Sequence, residues 1–250
     1  MKCVIHHAYF FPWLGYFSKL YYADKFILLD DALFSKGFYH DRTKYISSNG
    51  EIKWLTVPVG QNFKFKSSEV QVKDKTFLAL FLQRIEQSYA KARHFDEEWP
   101  YLRIILINSV RESTSLFDLD VRIIKAVCGL LEFDLPEFLF SSELIVKTDL
   151  DKTDKLIQLC LAAGCNELII GDGSSAFEHD KLKIEQAGIQ IYLQSYFSDH
   201  PTYFQVRRQW IGFEKGISIL DAILNVGKKE TLAMIADPIN QPKLFNLTIT

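Results

Sequence analysis

Cys3-Val-Ile-His-His-Ala-Tyr-Phe-Phe-Pro-Trp-Leu-Gly-Tyr-Phe17 is the stretch that decides the fold of this 250-residue chain. Its apolar start, Cys3 to Ile5, predicts a short, buried first strand. Pro12 suits the first position of a helix, because its missing N–H would have no partner there. The aromatic residues that follow recur at helical spacing, so one face of this helix is predicted to pack inward.

Short apolar runs alternate with longer stretches of helical period along the rest of the chain. This alternation is typical of β-α-β units packed into a mostly parallel sheet. Asn49-Gly50 predicts a tight hairpin, because the dipeptide supplies the positive φ angles that such a turn needs. The predicted strands cover residues 3–5, 26–29, 137–140, 167–170 and 190–193, with hairpin strands at 44–46 and 52–59. The predicted helices cover about 99–110, 118–131, 152–163 and 219–225, and another begins near Thr76.

The predicted fold class is therefore α/β, with a mostly parallel, doubly wound (Rossmann-like) sheet flanked by helices. A small β-hairpin and a helical insertion at about residues 76–132 complete it. We expect one domain over residues 1–237 and a loosely attached C-terminal tail over residues 238–250. Ser218, followed three residues later by Asp221, predicts the start of a helix, and Gly227 predicts its end.

The composition is that of an ordinary globular protein, with 48% hydrophobic and 24% charged residues. This argues against disorder and against burial in a membrane. The net charge of -2 gives no overall attraction to nucleic acid. No apolar run approaches the ~20 residues that span a bilayer, and the N-terminus lacks a secretory pattern. We expect a cytoplasmic protein with no membrane span and no nucleic-acid partner.

The four cysteines, Cys3, Cys128, Cys160 and Cys165, lie in or beside apolar segments without a paired CxxC spacing. Neither a zinc site nor a disulfide framework is predicted from this pattern. They are interpreted as buried thiols in a reducing compartment, and no metal ligands are predicted.

Candidate site residues follow from the rule that open parallel sheets bind ligands outside the carboxyl ends of their strands. The first such segment follows strand 3–5 and carries two imidazoles, His6 and His7, together with Tyr9. Histidine can accept a proton near pH 7, which makes His6 a candidate general base. The alternative is a buried, hydrogen-bonded His6, and which of the two histidines faces a site is left open.

The second segment carries Asp30 and Asp31 at a strand end, followed by Lys36 and Arg42. Lys36 and Arg42 could hold a phosphate, the arginine by its bidentate fork and the lysine as a point charge. Solvated positions for both, and a structural role for one aspartate, are the alternatives.

The third segment, Ser141-Ser142-Glu143, follows strand 137–140. Its serines could bind a substrate hydroxyl or cap a turn, but no G-x-S-x-G context marks a nucleophile. Gly171-Asp-Gly-Ser-Ser175 also follows a strand, yet lacks the downstream glycine and lysine of a phosphate-binding loop. It is interpreted as a sharp turn, and ligand contact is left open.

Several of these residues match a family pattern that begins approximately I-H-Q-P-N-Y-F-P-W-L-G-Y-F. The matching positions are Ile5, His6 and Phe11 to Phe17, then Phe26, Asp30, Asp31, Lys36, Arg42 and Lys44, then residues 55–59, 86–89, 141–144 and 218–221. By these motifs the chain resembles the WbqC-like proteins, which are encoded in many bacterial polysaccharide (O-antigen) gene clusters. It departs from the pattern at His7, Ala8, Phe10, Leu33, Gly37, Asp41 and Thr43.

The resemblance implies a transferase that moves an aminoacyl (glycyl) or acyl group onto an amino sugar in bacterial surface polysaccharide biosynthesis. His6 would deprotonate the sugar amine, with Asp30 also among the catalytic residues. Lys36, Arg42 and the helix N-terminus after Pro12 would hold the donor phosphate or the oxyanion. The predicted substrate-binding residues are His7, Tyr9, Trp13, Tyr16, Asp31, Ser141, Ser142 and Glu143.

The implied partners are a sugar or sugar nucleotide and an acyl donor. The identity of any cofactor is left open, with a nucleotide or an activated acyl donor as candidates. Whether the protein is catalytic and what its oligomeric state is are also left open. Two alternatives stand beside the transferase. One is a nucleotide-dependent activating or nucleotidyl transferase of HUP-like type, although the H-x-G-H signature is absent. The other is a non-catalytic protein that binds sugar nucleotides.

Overall fold

A six-stranded sheet forms the centre of the protein in a computed structural model that describes residues 1–60, 64–144, 147, 150–173 and 179–245. The strands of the chain are β1 (Lys2–His6), β2 (Lys25–Leu28), β3 (Arg42–Ile46), β4 (Ile52–Thr56), β5 (Glu137–Phe140), β6 (Glu167–Gly171), β7 (Gln190–Gln194) and β8 (Lys243–Leu244). The helices are α1 (Leu14–Tyr22), α2 (Phe77–Tyr89), α3 (Phe95–Glu112), α4 (Leu116–Leu131), α5 (Lys152–Ala162), α6 (Lys181–Gln186) and α7 (Ile219–Ile235).

The strand order in the sheet is β5-β2-β1-β6-β7-β8. The first five strands run parallel, and β8 joins antiparallel at the edge. The chain moves outward from β1 through β2 to β5, then returns to the other side of β1 with β6 and β7. The order therefore reverses between β1 and β6, which is the switch point of a Rossmann-like sheet. The predicted fold class is confirmed.

Both faces of the sheet are covered, because successive strand residues point to opposite sides. Val4 and Phe26 pack into the larger core, which also contains buried side chains of α1, α2, α3, α4 and α7. Cys3 and Ile27, one residue away, pack into the smaller core with α5 and α6. This is the doubly wound arrangement that near-continuous apolar strands indicate.

The hairpin predicted at Asn49-Gly50 is present as the antiparallel pair β3–β4, with Ile46 opposite Ile52. Gly50 has φ +83°, a conformation that glycine adopts without steric cost. A side chain there would also collide with the backbone of Arg207, because a Cβ would lie 2.6 Å from its carbonyl oxygen. The turn therefore needs glycine for its backbone angle and for its packing.

The helical insertion consists of α2, α3 and α4, of which α3 begins at Phe95 and not at Trp99 as predicted. The side chain of Ser115 caps α4 by accepting a hydrogen bond from Asp118 N. Ser218 likewise caps α7, as predicted. Gly227 ends the first helical segment of α7, as predicted, because its φ of +81° and ψ of 165° are not helical. A second helical segment, which was not predicted, follows the kink as far as Ile235.

The C-terminal tail is less loose than predicted, because β8 pairs with β7. Phe245 N continues the pairing by donating to Ile191 O at 2.8 Å. Two residues are too short a run for an alternating pattern to show in the sequence. Residues 246–250 of the predicted tail lie outside the described part of the chain.

The four cysteines are buried and free, as predicted. Cys3 Sγ of β1 lies 3.3 Å from Cys160 Sγ of α5. Within the described ranges, no helix has the length and apolar character needed to cross a membrane.

Candidate functional site

A cleft opens at the carboxyl ends of β1 and β6, where the strand order reverses. We call its larger part, with a volume of 570 Å³, the main chamber. A smaller cavity of 280 Å³ beside it is the side chamber. The two chambers share five lining residues, which are His6, Tyr9, Lys19, Phe38 and Gly171.

His6, the last residue of β1, faces both chambers. Its Nδ1 lies 3.0 Å from the backbone oxygen of His7. Because a carbonyl oxygen can only accept, Nδ1 carries the proton in the neutral ring and Nε2 keeps its lone pair. Burial, with the nearby charge of Lys19, holds the pKa of His6 well below its usual value. His6 is therefore neutral at pH 7 and able to accept a proton at Nε2.

Tyr16 lies beneath His6 and does not line either chamber. Its hydroxyl donates to the same His7 oxygen at 3.0 Å, and its ring packs edge-on against the imidazole. Tyr9 packs on His6 in the same way and does line both chambers. Tyr16 thus orients the base from within the core, while Tyr9 can contact a ligand.

Lys19 is a site residue that the sequence reasoning missed. It lies on α1, and burial lowers its pKa to about 8, partly opposed by the carboxylate of Asp172. Its ammonium makes no hydrogen bond to any residue that the structure describes. A signal was present in the sequence, because Lys19 is the single charged residue of the helix Leu14–Tyr22. A charge in a helix of otherwise uncharged residues next to a strand end marks a candidate ligand contact.

The main chamber carries further charged groups, of which Lys44 and Lys215 were not predicted as site residues. Asp172 belongs to the Gly171 to Ser175 segment, whose described residues 171–173 line this chamber. The ammonium group of Lys44 on β3 makes no hydrogen bond or ion pair with a described residue, and it lies 5.6 Å from the centre of the Trp54 ring. Lys215 is engaged, donating to the backbone oxygens of Phe197 and Ser198 at 3.0 and 3.1 Å. Asp172 accepts from the backbone N–H groups of the same two residues. Among the described residues that line this chamber, Lys19 and Lys44 are therefore the cations available to an anionic ligand.

Aromatic rings form the opposite wall of the main chamber. Trp13 lies parallel to the His200 ring, with centroids 5.8 Å apart, and meets Tyr196 and Phe197 edge-on. Gly15 makes room for the indole, because a Cβ at Gly15 would lie 2.4 Å from Trp13 Cη2. The Trp-Leu-Gly part of the opening motif thus places an aromatic face in the cleft. Such faces bind sugars or nucleobases.

The backbone before Trp13 is strained. Phe11 has φ +43°, which is unusual for a bulky residue. Its carbonyl oxygen accepts hydrogen bonds from Thr43 Oγ1 at 2.9 Å and Ser218 Oγ at 3.0 Å. These bonds tie the opening segment to β3 and to the start of α7. These hydrogen bonds offset the conformational free energy of the strained Phe11 backbone. They also fix the position of the backbone that directs Trp13 into the cleft.

The structure brings Asp30 together with Ser141 and Ser142, as the strand-end rule predicts, but outside both chambers. The Asp30 carboxylate accepts from Ser142 N at 2.9 Å and Ser142 Oγ at 2.6 Å. It also lies 3.0 Å from Ser141 Oγ, whose single proton is shared between Asp30 and Asp31. Asp31 accepts from Ser141 Oγ and from Lys155 Nζ at 3.0 Å. Although burial acts to raise the pKa of Asp31, these bonds lower it overall. The cluster joins the end of β2 to the end of β5.

Lys36, Arg42 and Glu143 do not reach the cleft. Lys36 and Glu143 are exposed, and the Arg42 guanidinium stacks over Trp54, 4.0 Å from the ring centroid. His7 lines the side chamber only. Of the predicted site residues, the structure therefore gathers His6, His7, Tyr9 and Trp13 around the two chambers. In the described ranges, no group of three or more His, Cys, Asp or Glu residues is arranged to hold a metal ion.

Fold and cleft together define a Rossmann-like α/β protein with its candidate site at the strand ends. The profile of the WbqC-like protein family matches residues 7–233, and the chain belongs to this family. It is 28% identical to the uncharacterized protein Rv1507c of Mycobacterium tuberculosis (strain ATCC 25618 / H37Rv), over 90% of this chain and 94% of that protein. No solved structure matches the chain significantly.

Proposed function

We propose that this protein transfers an acyl or aminoacyl group onto the amine of a sugar nucleotide, with the reaction centred on His6. The observation that carries the proposal is the meeting of His6 and Lys19 at the junction of two chambers. A bimolecular transfer needs two binding sites that meet at one base and one oxyanion stabiliser. The resemblance to proteins of polysaccharide gene clusters supports a sugar as acceptor. Four buried free thiols support a cytoplasmic location.

The main chamber suits the sugar nucleotide. Its aromatic wall at Trp13 offers a face for stacking, and the ammonium groups of Lys19 and Lys44 offer charge for the pyrophosphate. Binding a phosphate beside Lys19 would raise the pKa of His6, because a nearby negative charge favours the imidazolium. The base therefore strengthens when its anionic substrate is in place.

In the transfer step His6 is the base, and Lys19, whose ammonium group has three N–H donors, contacts the donor carbonyl as well as the pyrophosphate. The sugar amine nitrogen attacks the carbonyl carbon of the acyl donor, and the new C–N bond forms while the bond to the donor's leaving oxygen or sulfur breaks. His6 Nε2 accepts the proton lost by the amine. Lys19 donates a hydrogen bond to the carbonyl oxygen as it becomes negative.

The test is mass-spectrometric detection of acyl transfer from coenzyme A thioesters and aminoacyl donors to a uridine-diphosphate-linked amino sugar. His6→Asn retains a side-chain N–H for the His7 oxygen but lacks Nε2, so we expect turnover to fall roughly 10²- to 10⁴-fold. His94→Asn, the same substitution outside both chambers, should retain turnover. Unchanged turnover in His6→Asn would overturn the assignment. Saturable, magnesium-dependent ATP binding without acyl transfer would favour the nucleotide-activating alternative.

A further inference from the structure

The side chamber has walls of a different chemistry from those of the main chamber. Its apolar lining comes from four separate elements, with Ile5 on β1, Leu29 after β2, Leu156 on α5 and Ile170 on β6. Ile5, Leu29 and Ile170 are only partly buried in the protein itself. An apolar surface of this kind, left open next to a proton-accepting group, favours an apolar ligand.

No carboxylate stands among the described residues that line the side chamber. Its ionisable groups are His6, His7, Lys19, His179 and the phenol of Tyr9. An ammonium group, such as that of a glycyl unit, would lose its hydration there without gaining an anionic partner, and this is unfavourable. A neutral aliphatic chain would meet no such cost.

We propose that the side chamber binds the aliphatic part of the acyl donor, so that the transferred group is a short fatty acyl group and not a glycyl group. The inference rests on the proposed transfer reaction and deepens it by naming the donor class. The acyl carbonyl then lies at the junction, beside His6 and Lys19, with its chain towards Leu156. The sugar amine approaches from the main chamber on the other side.

The test is direct binding of sodium acetate, butanoate and hexanoate, followed by NMR titration. Their carboxylates stand in for the acyl carbonyl at Lys19. We expect affinity to rise by about fourfold for each methylene that the chamber buries. We also expect nuclear Overhauser contacts between the hexanoate methyl group and the methyl groups of Ile5 and Leu29. Equal affinity for acetate and hexanoate, or contacts at another surface, would overturn the proposal.

Leu156→Phe fills the side chamber and should remove the gain from acetate to hexanoate. Leu156→Ala should lower the affinity for hexanoate several-fold and leave the affinity for acetate unchanged. This variant tests the same site if Leu156→Phe does not fold. Leu161→Phe is the matched control, because Leu161 lies on the same helix but is 49% exposed. If Leu156→Phe folds and keeps the full chain-length gain, the side chamber is not the acyl site.

The alkanoate titration tests the donor site separately from the transfer reaction, because it measures binding and does not depend on turnover. Binding of uridine diphosphate N-acetylglucosamine to the main chamber should survive Leu156→Phe. If the wild-type protein shows no gain in affinity from acetate to hexanoate but catalyses acyl transfer, only the assignment of the donor is wrong. If alkanoate affinity rises with chain length but His6→Asn keeps full turnover, the proposed role of His6 is contradicted and the apolar binding site is retained.

Discussion

Lys19 Nζ lies directly against Gly171, so that a Cβ added to that glycine would be 2.9 Å from Nζ and 3.1 Å from Cε. The two residues come from α1 and from the last position of β6. Both residues line the main chamber and the side chamber, at the place where the two chambers meet. The glycine is therefore required for the position of the ammonium group, and its own φ is not positive.

Gly171→Ala should displace the Lys19 ammonium with little effect on folding, because the end of a lysine side chain can move. We expect the affinity for uridine diphosphate, measured by calorimetry, to fall by roughly tenfold, the loss of about one charge-assisted hydrogen bond. The melting temperature should change by only a few degrees. Gly129→Ala is a control, since a Cβ on Gly129 meets nothing within 4 Å. Unchanged nucleotide affinity in Gly171→Ala would contradict the assigned role of Lys19.

Lys19 should also give the protein a specific pH dependence of stability. Its pKa is lowered to about 8 by burial, whereas in the unfolded chain it returns to about 10.4. Between these values the unfolded chain binds more protons, so stability rises as the pH increases from 8 to 10.5. Below pH 8 the charged ammonium is a net cost to the folded state.

Lys19→Met should therefore stabilise the protein at pH 7, by on the order of 1–2 kcal/mol. The gain should vanish as the pH approaches 10.5, and binding of uridine diphosphate should weaken at every pH below 8. Urea unfolding of both proteins at pH 7, 8, 9 and 10 measures the difference. Parallel stability curves for the two proteins would show that Lys19 is as well solvated in the fold as in the unfolded chain.

Asp30 provides a test of a structural role at a position that the sequence assigns to catalysis. Both of its carboxylate oxygens accept hydrogen bonds from the Ser141-Ser142 turn. Asp30→Ala leaves these donors unpaired, and we expect a loss of about 2–3 kcal/mol in the free energy of unfolding. Asp134→Ala, at an exposed position, should change it by less than about 0.5 kcal/mol. A stable Asp30→Ala protein that has lost turnover would restore the catalytic assignment.

The sequence predicts the fold well where a short apolar strand is followed by a helix of clear period, as from β1 to α1 and from β6 to α6. The errors lie where a tertiary contact decides the outcome. The second helical segment of α7, after the break at Gly227, was not predicted. The His94 ring packs against this break, so that a Cβ on Gly227 would be 2.9 Å from Nδ1. Likewise, β8 consists of two residues whose pairing with β7 no local pattern encodes.

The candidate site was predictable only in part. His6 and Trp13 belong to one continuous segment at a strand end, so position alone identifies them. Lys19 and Lys44 come from a helix and a hairpin, and only the packing of these elements against the sheet places them in the cleft. Arg42 shows the reverse case, because stacking on Trp54 holds its guanidinium away from the chambers.

Asp221 shows how two distant family motifs, Glu86 to Tyr89 and Ser218 to Asp221, form one buried network. Its carboxylate accepts from Tyr203 Oη at 2.7 Å, Gln205 Nε2 at 3.0 Å and Asn225 Nδ2 at 3.2 Å. The Tyr89 hydroxyl interacts electrostatically with the same carboxylate. Burial raises the pKa of Asp221 to about 6, although these bonds act to lower it. The folded protein thus holds a proton on Asp221 at a pH where the unfolded chain has released it.

Stability should consequently fall as the pH rises from about 4 to 6, since the folded state binds more protons than the unfolded chain in this window. The contribution of Asp221 is at most about 3 kcal/mol, and Asp221→Asn, which has no proton to lose, should remove it. Urea unfolding at pH 4, 5, 6 and 7 compares how the free energy of unfolding changes with pH in the two proteins.

Asp151→Asn is the control, because exposed Asp151 has its pKa lowered to about 2 by hydrogen bonds from Asp154 N and Lys183. Its stabilising effect is lost only as the pH falls below 4, so that variant should keep the wild-type slope between pH 4 and 6. A slope that survives in Asp221→Asn would mean that another buried acid carries it, with Asp120 next in line because burial raises its pKa as well.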